Sequence, residues 1–166
     1  AMIQPSKLIK AEMIPPREYV FIMDVSGSMH GFPIEISKSL LKDLIGNLRT
    51  HDKFNLILFA GGSELMSGVS LEANLTNIQK AIDFIDKQQG GGGTELLPAL
   101  KRALALNGTE NYSRTFIIAT DGYVTVEKEA FDLIRKNLGT ANFFTFGIGT
   151  SVNRYILEGM AHVGKG

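Results

Sequence analysis

The chain has 166 residues, enough for one domain with a substantial buried core. It carries 17 basic and 17 acidic residues and no cysteine. This balance argues against a nucleic-acid or anionic-membrane surface, and the lack of cysteine excludes disulfides, thiolate nucleophiles and sulfur-ligated zinc. No apolar run approaches the roughly 18 residues that a membrane-spanning helix needs, so we expect neither nucleic acid nor direct membrane insertion among its interactions.

Short, nearly continuous apolar runs alternate along the chain with segments of helical periodicity. This pattern is typical of a mostly parallel sheet covered by helices on both faces, and it predicts an α/β fold. In chain order we predict strand Tyr19–Met23, helix Ile34–Leu48, strand Phe54–Ala60, a short strand within Glu64–Ser67, helix Leu75–Ile85, helix Glu95–Leu106, strand Thr115–Ala119, helix Glu127–Leu138, strand Asn142–Phe146 and helix Val152–Val163.

The two ends of the chain lie outside this alternation. Pro15-Pro16 cannot continue a helix or a central strand, so we interpret residues 1–17 as a linker or the last strand of an upstream domain. Residues 18–166 would then form the domain itself. At the other end, the chain runs out at Gly164-Lys165-Gly166, where the alternation would supply another strand.

Polar residues follow several predicted strands, at the edge where open parallel sheets place their ligands. Asp24, Ser26 and Ser28 alternate after the first strand, so their oxygens would point to one side. Thr94 follows a run of four glycines, and Asp121 stands just beyond another predicted strand. Two carboxylates and three hydroxyls, without imidazole or thiolate, match the hard-oxygen donors of a magnesium-type site.

Each of these residues also has a purely structural interpretation. Ser26 and Ser28 are ordinary turn residues, Thr94 is a suitable helix cap, and Asp121-Gly122 is typical of a β-turn. Their joint arrival at corresponding strand ends favours the metal site over five unrelated local roles.

Three segments, Asp24-Val25-Ser26-Gly27-Ser28, Thr94 after its glycines, and Thr120-Asp121-Gly122, resemble the metal-ion-dependent adhesion site of von Willebrand factor type A domains. The resemblance spans about residues 18–163. The sequence around Pro16–Asp24 and Gly147–Tyr155 is most similar to the branch of inter-alpha-trypsin inhibitor heavy chains and their bacterial relatives. In that branch a small β domain precedes this one, and the resemblance implies an exported or cell-surface parent protein.

The resemblance also implies a Rossmann-like sheet of strand order 3-2-1-4-5 with a short antiparallel third strand. In the family a sixth strand and a final helix follow, and we expect neither in this chain. Without them, strand Asn142–Phe146 would form an aromatic edge. The segment Lys7–Ile14 has the alternation of a strand, and we expect it to pack on the domain or on a neighbouring copy, which would make a dimer.

By the same resemblance, Ser26, Ser28 and Thr94 would contribute side-chain oxygens to Mg²⁺ or Mn²⁺, with Ca²⁺ as an alternative. Asp24 and Asp121 would hold the ion directly or through water. An Asp or Glu carboxylate of a partner protein would complete the coordination. The expected function is a metal-dependent protein-binding module with no catalytic residues.

Two other functions stay open from the residues alone. The first is a phosphatase similar to the haloacid dehalogenase group, with Asp24 as nucleophile beside magnesium. That group needs a second Asp two residues later as general acid, where this chain has Ser26. The second is a structural domain that binds no metal.

Overall fold

Parallel pairing of apolar strands builds the centre of the structure, a computed structural model that describes residues 14–122 and 127–166. The strands are β1 (Arg17–Asp24), β2 (Lys53–Phe59), β3 (Ser63–Leu65), β4 (Leu71–Glu72), β5 (Ser113–Thr120) and β6 (Asn142–Gly147). The helices are α1 (Phe32–Gly46), α2 (Leu75–Asp86), α3 (Leu96–Leu104), α4 (Glu127–Asn137) and α5 (Arg154–Val163). A single 3₁₀ turn, Gly27–Met29, follows β1.

The sheet has the order β3-β2-β1-β5-β6, and β4 pairs with β2 beside β3. The pairs β1–β2, β1–β5 and β5–β6 are parallel, whereas β3 and β4 run antiparallel to β2. The unpredicted strand β4 shifts the later labels by one, so the predicted strands 4 and 5 are β5 and β6 here. The α/β class, the strand order and the short antiparallel strand are therefore confirmed. The two-residue strand β4 was not predicted, because so short a segment has no period to distinguish it from a turn.

Helices cover both faces of the sheet, and this explains the nearly continuous apolar sequence of β1. On one face, Val20 and Ile22 pack in a cluster formed with α3, α4 and α5. On the other face, Phe21 and Met23 pack in a cluster formed with α1 and α2. All four side chains are fully buried. A strand enclosed on both faces has no polar side, so it lacks the alternation of a half-exposed strand.

The five predicted helices are confirmed, with ends that differ by up to two residues. The helix α1 begins at Phe32, two residues early, because Gly31 takes a φ of +82° and Pro33 is tolerated in a first turn. At α2, the Asn74 side chain accepts a hydrogen bond of 2.9 Å from the Asn77 N–H. Such caps are set by single residues, and periodicity alone does not locate them. Within the described parts of the chain, no helix is both long enough and apolar enough to cross a bilayer.

Among the described residues, β6 is one of the two edge strands of the sheet, and two of its aromatic side chains are partly exposed. Phe144 is 42% exposed and Phe146 36% exposed. The start of this edge is covered by the chain itself, because the Phe143 N–H donates to the Gly164 carbonyl at 2.9 Å. Of the segment expected to pack on an edge, residues 7–13 lie outside the described residues, so that expectation stays a prediction.

Two buried carboxylates stabilise the amino ends of the central strands, where β1 begins. Asp52 is 2% exposed and accepts hydrogen bonds from the Arg17 N–H at 3.0 Å and from the Arg49 guanidinium at 2.7 Å. Arg49 also donates to the Pro15 carbonyl at 3.0 Å. Burial by itself raises the pKa of Asp52, but the Arg49 guanidinium and these N–H donors hold that pKa below its ordinary value. The incoming chain is thus anchored at the amino end of β1.

Glu18 is the second of these carboxylates and is fully buried. It accepts hydrogen bonds from the Thr109 N–H at 3.1 Å and the Thr109 hydroxyl at 3.2 Å. The Arg114 Nε lies 3.3 Å from its carboxylate. These contacts tie the loop before β5 to β1.

Candidate metal centre

The carboxyl ends of β1 and β5 place Asp24 and Thr120 side by side. The register pairs Met23 with Ala119, one residue earlier on each strand. Asp24 is fully buried. Its Oδ1 accepts a hydrogen bond of 2.9 Å from the Ser26 N–H, and its Oδ2 accepts one of 2.5 Å from the Thr120 hydroxyl. The carboxylate is therefore fixed through both of its oxygens.

The surroundings of Asp24 disfavour its negative charge. Burial raises the pKa of Asp24, and the charge of Asp121 raises it further. Hydrogen bonds from Ser26 and Thr120 lower the pKa but do not cancel the effect of burial. None of the ion pairs among residues 14–122 and 127–166 includes Asp24. A cation placed at this edge would therefore favour the ionised carboxylate.

The two serines lie together beside this carboxylate, as their spacing predicts. Ser26 has an extended backbone, with φ −69° and ψ 175°, and immediately precedes the 3₁₀ turn. Its Oγ lies 3.2 Å from the Oγ of Ser28. Ser26 is buried, whereas Ser28 is exposed. The two hydroxyl groups therefore lie between the buried Asp24 and the protein surface.

The glycine run brings a second loop against the serine loop. The Gly27 N–H donates to the Gly92 carbonyl, and the Gly91 N–H donates to the Val25 carbonyl, both at 3.0 Å. A Cβ atom on Gly27 would lie only 3.2 Å from the Gly92 oxygen. Gly92 itself has a φ of +79°, which glycine adopts without strain. The close approach of the two backbones explains Gly27, and the positive φ explains Gly92.

Thr94 follows this run and is half-buried. The neighbouring Glu95 N–H donates to the Ala60 carbonyl at 2.7 Å, which holds the segment against the loop after β2. The residue at the N-cap of α3 is Glu95, so Thr94 does not cap that helix. The Thr94 hydroxyl makes no hydrogen bond to the other four predicted ligands. Thr94 therefore lies on the loop adjoining the cluster without contacting it through a hydrogen bond.

Asp121 follows β5 and is 8% exposed. Together with Ser28 it lines a concavity of about 240 Å³, whose other walls are Pro33 and residues 148–151. The Asp121 carbonyl accepts a hydrogen bond from the Asn153 N–H at 2.9 Å. This contact fixes the backbone of Asp121 against the segment that leads into α5. The four residues 123–126, which follow Gly122, lie outside the described residues.

Gly122 has a conformation that few other residues would tolerate. Its φ is +69°, and a Cβ atom built on it would lie 2.8 Å from Ile156 Cγ2 and 3.3 Å from the Asn153 carbonyl. Its N–H donates to the Thr120 hydroxyl at 2.9 Å. The residue after Asp121 is therefore required to be small and to turn sharply.

Four of the five predicted ligands thus lie together. Hydrogen bonds link Asp24 to Ser26 and Ser26 to Ser28, and Asp121 shares a concavity with Ser28. The fifth, Thr94, lies on the neighbouring loop. Thr120 is a residue of this cluster that the sequence did not single out as a candidate. It stood in the recognised segment Thr120-Asp121-Gly122, but only the pairing of β1 with β5 reveals its bond to Asp24. A threonine at the end of a strand, directly before a predicted ligand, was the available signal.

The donor set fits a hard divalent cation. Within the described parts of the chain, His, Cys, Asp and Glu side chains form no group of three that would hold a metal ion. An ion at this edge would therefore depend on hydroxyl oxygens as well as on two carboxylates. All of these donors are oxygens, which suits Mg²⁺, Mn²⁺ or Ca²⁺ rather than a thiolate-bound or imidazole-bound metal.

Comparison with known sequences gives a consistent result. A sequence model of the von Willebrand factor type A domain matches residues 17–166. A von Willebrand factor A domain-containing protein of Dictyostelium discoideum is 33% identical over 150 residues, which cover 90% of this chain and 16% of that protein. The inter-alpha-trypsin inhibitor heavy chain H3 of Bos taurus is 30% identical over 161 residues, which cover 89% of this chain and 18% of that protein. The chain therefore spans less than a fifth of either relative.

Solved structures share the fold. A von Willebrand factor type A structure from Catenulispora acidiphila superposes with a TM-score of 0.78 at 21% identity, covering 90% of this chain and 37% of the other. The protein BatB of Bacteroides thetaiotaomicron superposes with a TM-score of 0.76 at 20% identity, covering 90% and 87%. At these identities the likeness concerns the fold alone.

Proposed function

The chain belongs to the von Willebrand factor type A family, and from that premise we propose that it is a metal-dependent protein-binding module. In this proposal five residues hold one divalent cation: Asp24, Ser26, Ser28, Thr94 and Asp121. The preferred ions are Mg²⁺ and Mn²⁺, with Ca²⁺ as the alternative. When bound, the ion supplies a positive centre that accepts a carboxylate oxygen from an Asp or Glu of a partner protein.

The placement of Asp24 is the observation that carries this proposal. Its carboxyl group is fully buried, is fixed by two hydrogen bonds, and lies near a second carboxyl group, Asp121. Burial of the Asp24 carboxyl group costs free energy in its charged form unless a cation neutralises it. A cation relieves this cost, and the serine hydroxyls beside Asp24 are suited to join its coordination.

The concavity at Ser28 and Asp121 supports a carboxylate side chain as the partner's contribution. Its volume of about 240 Å³ lies below the roughly 300–1,000 Å³ of pockets that enclose drug-sized ligands. Pro33, Ile148 and Gly149 form uncharged parts of the wall. A single acidic side chain carried on a larger partner fits this site better than a free small-molecule substrate.

The same geometry argues against the phosphatase alternative. A nucleophilic Asp24 would need room for a whole phosphate group beside one of its oxygens, but the residue is fully buried. A metal ion needs only a free lone pair on one carboxylate oxygen, and each oxygen has one left beside its hydrogen bond. At the position of the required general acid stands Ser26, whose Oγ lies 3.2 Å from Ser28 Oγ. We therefore propose a binding function without catalysis.

Calorimetric titration of chelator-treated protein with Mg²⁺, Mn²⁺ and Ca²⁺ tests the metal. We expect saturable binding at one site, abolished in Asp24→Ala and kept in the matched control Asp83→Ala, which changes an exposed acid on α2. Binding that persists unchanged in Asp24→Ala would place the ion elsewhere. Absence of binding by any of the three ions would favour the structural domain without metal.

A small probe tests the partner chemistry. N-acetylglutamate amide added to the Mg²⁺-loaded protein is expected to shift the NMR amide signals of Ser28 and Gly149 to Ser151. N-acetylglutamine amide has the same shape without the charge and is expected to leave these signals unshifted. The glutamate probe added in the presence of chelator is also expected to leave them unshifted. Equal shifts with both probes would contradict recognition through a carboxylate.

A further inference from the structure

The Thr120 hydroxyl both donates and accepts a hydrogen bond at the candidate metal centre. The hydroxyl donates to Asp24 Oδ2 at 2.5 Å and accepts from the Gly122 N–H at 2.9 Å. A threonine hydroxyl has one hydrogen to donate, and here Asp24 receives it. The Thr120 side chain is 1% exposed, and its carbonyl accepts a hydrogen bond from the Ile148 N–H at 3.1 Å. Thr120 is therefore held firmly in this position.

The two bonds to Asp24 come from different parts of the fold. Oδ1 is held by the Ser26 N–H in the loop after β1, and Oδ2 is held by Thr120 at the end of β5. Rotation of the carboxylate about its Cβ–Cγ bond would lengthen one or both of these bonds. To chelate an ion through both oxygens, Asp24 would have to turn both of them toward the ion. The Thr120 bond opposes that turn.

Divalent cations differ in how they use a carboxylate. Ca²⁺ takes about six to eight oxygens at roughly 2.3–2.6 Å and often binds both oxygens of one carboxylate. Mg²⁺ requires a near-ideal octahedron at about 2.0–2.1 Å and usually keeps several water molecules. A carboxylate that is prevented from chelating therefore penalises Ca²⁺ more than Mg²⁺.

We propose that Thr120 is a positioning residue that makes this site select Mg²⁺ over Ca²⁺, by preventing Asp24 from offering both of its oxygens to one ion. The inference rests on the proposed function, because it presupposes that the cluster binds a divalent cation. It adds a residue outside the five ligands and a reason for the choice of ion.

The dissociation constants for Mg²⁺ and Ca²⁺, measured by calorimetry, test this role. We expect Thr120→Val, which removes the hydroxyl and keeps the shape, to lower the ratio Kd(Ca²⁺)/Kd(Mg²⁺) about tenfold, or about 1.4 kcal/mol. Thr120→Ser keeps the donor and is expected to retain the wild-type ratio. Thr115→Val makes the same change on the same strand, at a hydroxyl without a hydrogen bond among the described residues, and serves as the control.

A second variant, Thr120→Ala, replaces Thr120→Val if the latter does not fold. The wild-type protein gives an independent readout: the Thr120 hydroxyl proton is expected to be protected and visible by NMR in the metal-free and Mg²⁺-loaded states. An unchanged ratio in the variant that folds would overturn the inference and leave the metal site standing. A wild-type preference for Ca²⁺ would also overturn it, and binding of neither ion would overturn both proposals.

Discussion

Asp24 and Asp52 are both buried, yet their environments shift the pKa of the two carboxyl groups in opposite directions. Asp24 lies among hydroxyl and N–H donors beside a second acid, and burial raises its pKa. Burial acts on Asp52 too, but a guanidinium and two backbone N–H groups outweigh it and lower the pKa of that group. A cation beside Asp24 would therefore stabilise its ionised form. The ionised form of Asp52 is already stabilised by Arg49 and by backbone N–H groups, and it holds the start of β1 in place.

The pKa of Asp52 predicts how stability depends on pH. A pKa lower in the folded than in the unfolded state means that ionised Asp52 stabilises the fold above its ordinary value of 3.8, and that this contribution is lost as pH falls through the folded-state value. We expect Asp52→Asn to lower the free energy of unfolding by about 1–3 kcal/mol at pH 7. Near pH 3 the difference from wild type should narrow.

Guanidinium unfolding at pH 7 and pH 3 checks this prediction. Asp83→Asn changes an exposed acid on α2 and serves as the control, with little change expected at either pH. An Asp52→Asn penalty of the same size at both pH values would contradict the role assigned to its charge.

Two glycines with nearly the same backbone allow a second prediction at this scale. Gly122 has φ +69° and Gly139 has φ +63°, but only a Cβ on Gly122 would meet other atoms, Ile156 Cγ2 at 2.8 Å. We expect Gly139→Ala to cost about 1–2 kcal/mol of stability from the positive φ alone. Gly122→Ala should cost more and should also weaken Mg²⁺ binding, because it displaces the residue beside Asp121.

Unfolding curves and Mg²⁺ titrations of the two variants provide the measurement. Equal losses of stability, with Mg²⁺ affinity unchanged in both, would show that the crowding at Gly122 has no consequence for the site.

At the scale of elements, strands and helices with a strong period were predictable, and features set by one or two residues were not. The run Tyr19–Met23 marked β1, because a strand buried on both faces is apolar throughout. The start of α1 depended on Gly31, and β4 was too short to carry a pattern. Four of the five candidate ligands could be placed together from the sequence because they follow β1 and β5, whereas Thr94 follows α2 and a run of glycines. The bond between Thr120 and Asp24 was not predictable, since it depends on the register between two strands distant in sequence.

The cap of α2 gives a prediction for a single element. The Asn74 side chain accepts a hydrogen bond from the Asn77 N–H at 2.9 Å, which satisfies one of the unpaired donors at the start of the helix. We expect Asn74→Ala to destabilise the domain by about 1 kcal/mol, lowering Tm by about 2–4 °C for a domain of this size. Asn74→Asp keeps an acceptor at the same place and should leave Tm close to wild type. Equal Tm values for Asn74→Ala and Asn74→Asp would show that the cap contributes nothing.

At the scale of the whole molecule, the two faces of the sheet are unequally covered. Three helices pack on one face and two on the other. On the less covered face, Phe144 and Phe146 stay partly open, as do Phe32 at 70% and Ile36 at 41% on α1. A groove of about 300 Å³ runs between α1 and the sheet, lined in part by Tyr19, Phe21, Leu40, Leu44, Leu48 and Ile117. This face of the sheet therefore carries apolar side chains that the described residues leave partly open.

An open apolar face predicts self-association that increases with concentration. Sedimentation velocity is expected to show reversible dimers, and Phe144→Ser combined with Phe146→Ser should shift the chain toward monomer. The matched control, Val69→Ser with Leu75→Ser, changes side chains that are 66% and 88% exposed elsewhere on the surface and should not. A monomer at all concentrations would contradict the prediction, and a chain beginning at Pro16 would show whether residues 1–15 take part.

The strand β1 also determines how the domain would bear mechanical tension. It runs without interruption from Arg17, just after the Pro15 carbonyl that Arg49 holds, to Asp24 at the candidate metal centre. Pulling between the preceding chain and a partner bound at that centre would load β1 along its own length. The strand is paired at seven register positions with β2 and at seven with β5. Tension between its two ends is carried by its already extended backbone. The load that passes to Asp121 beyond β5 would cross the β1–β5 pairs in shear, so their hydrogen bonds would have to break together rather than one at a time.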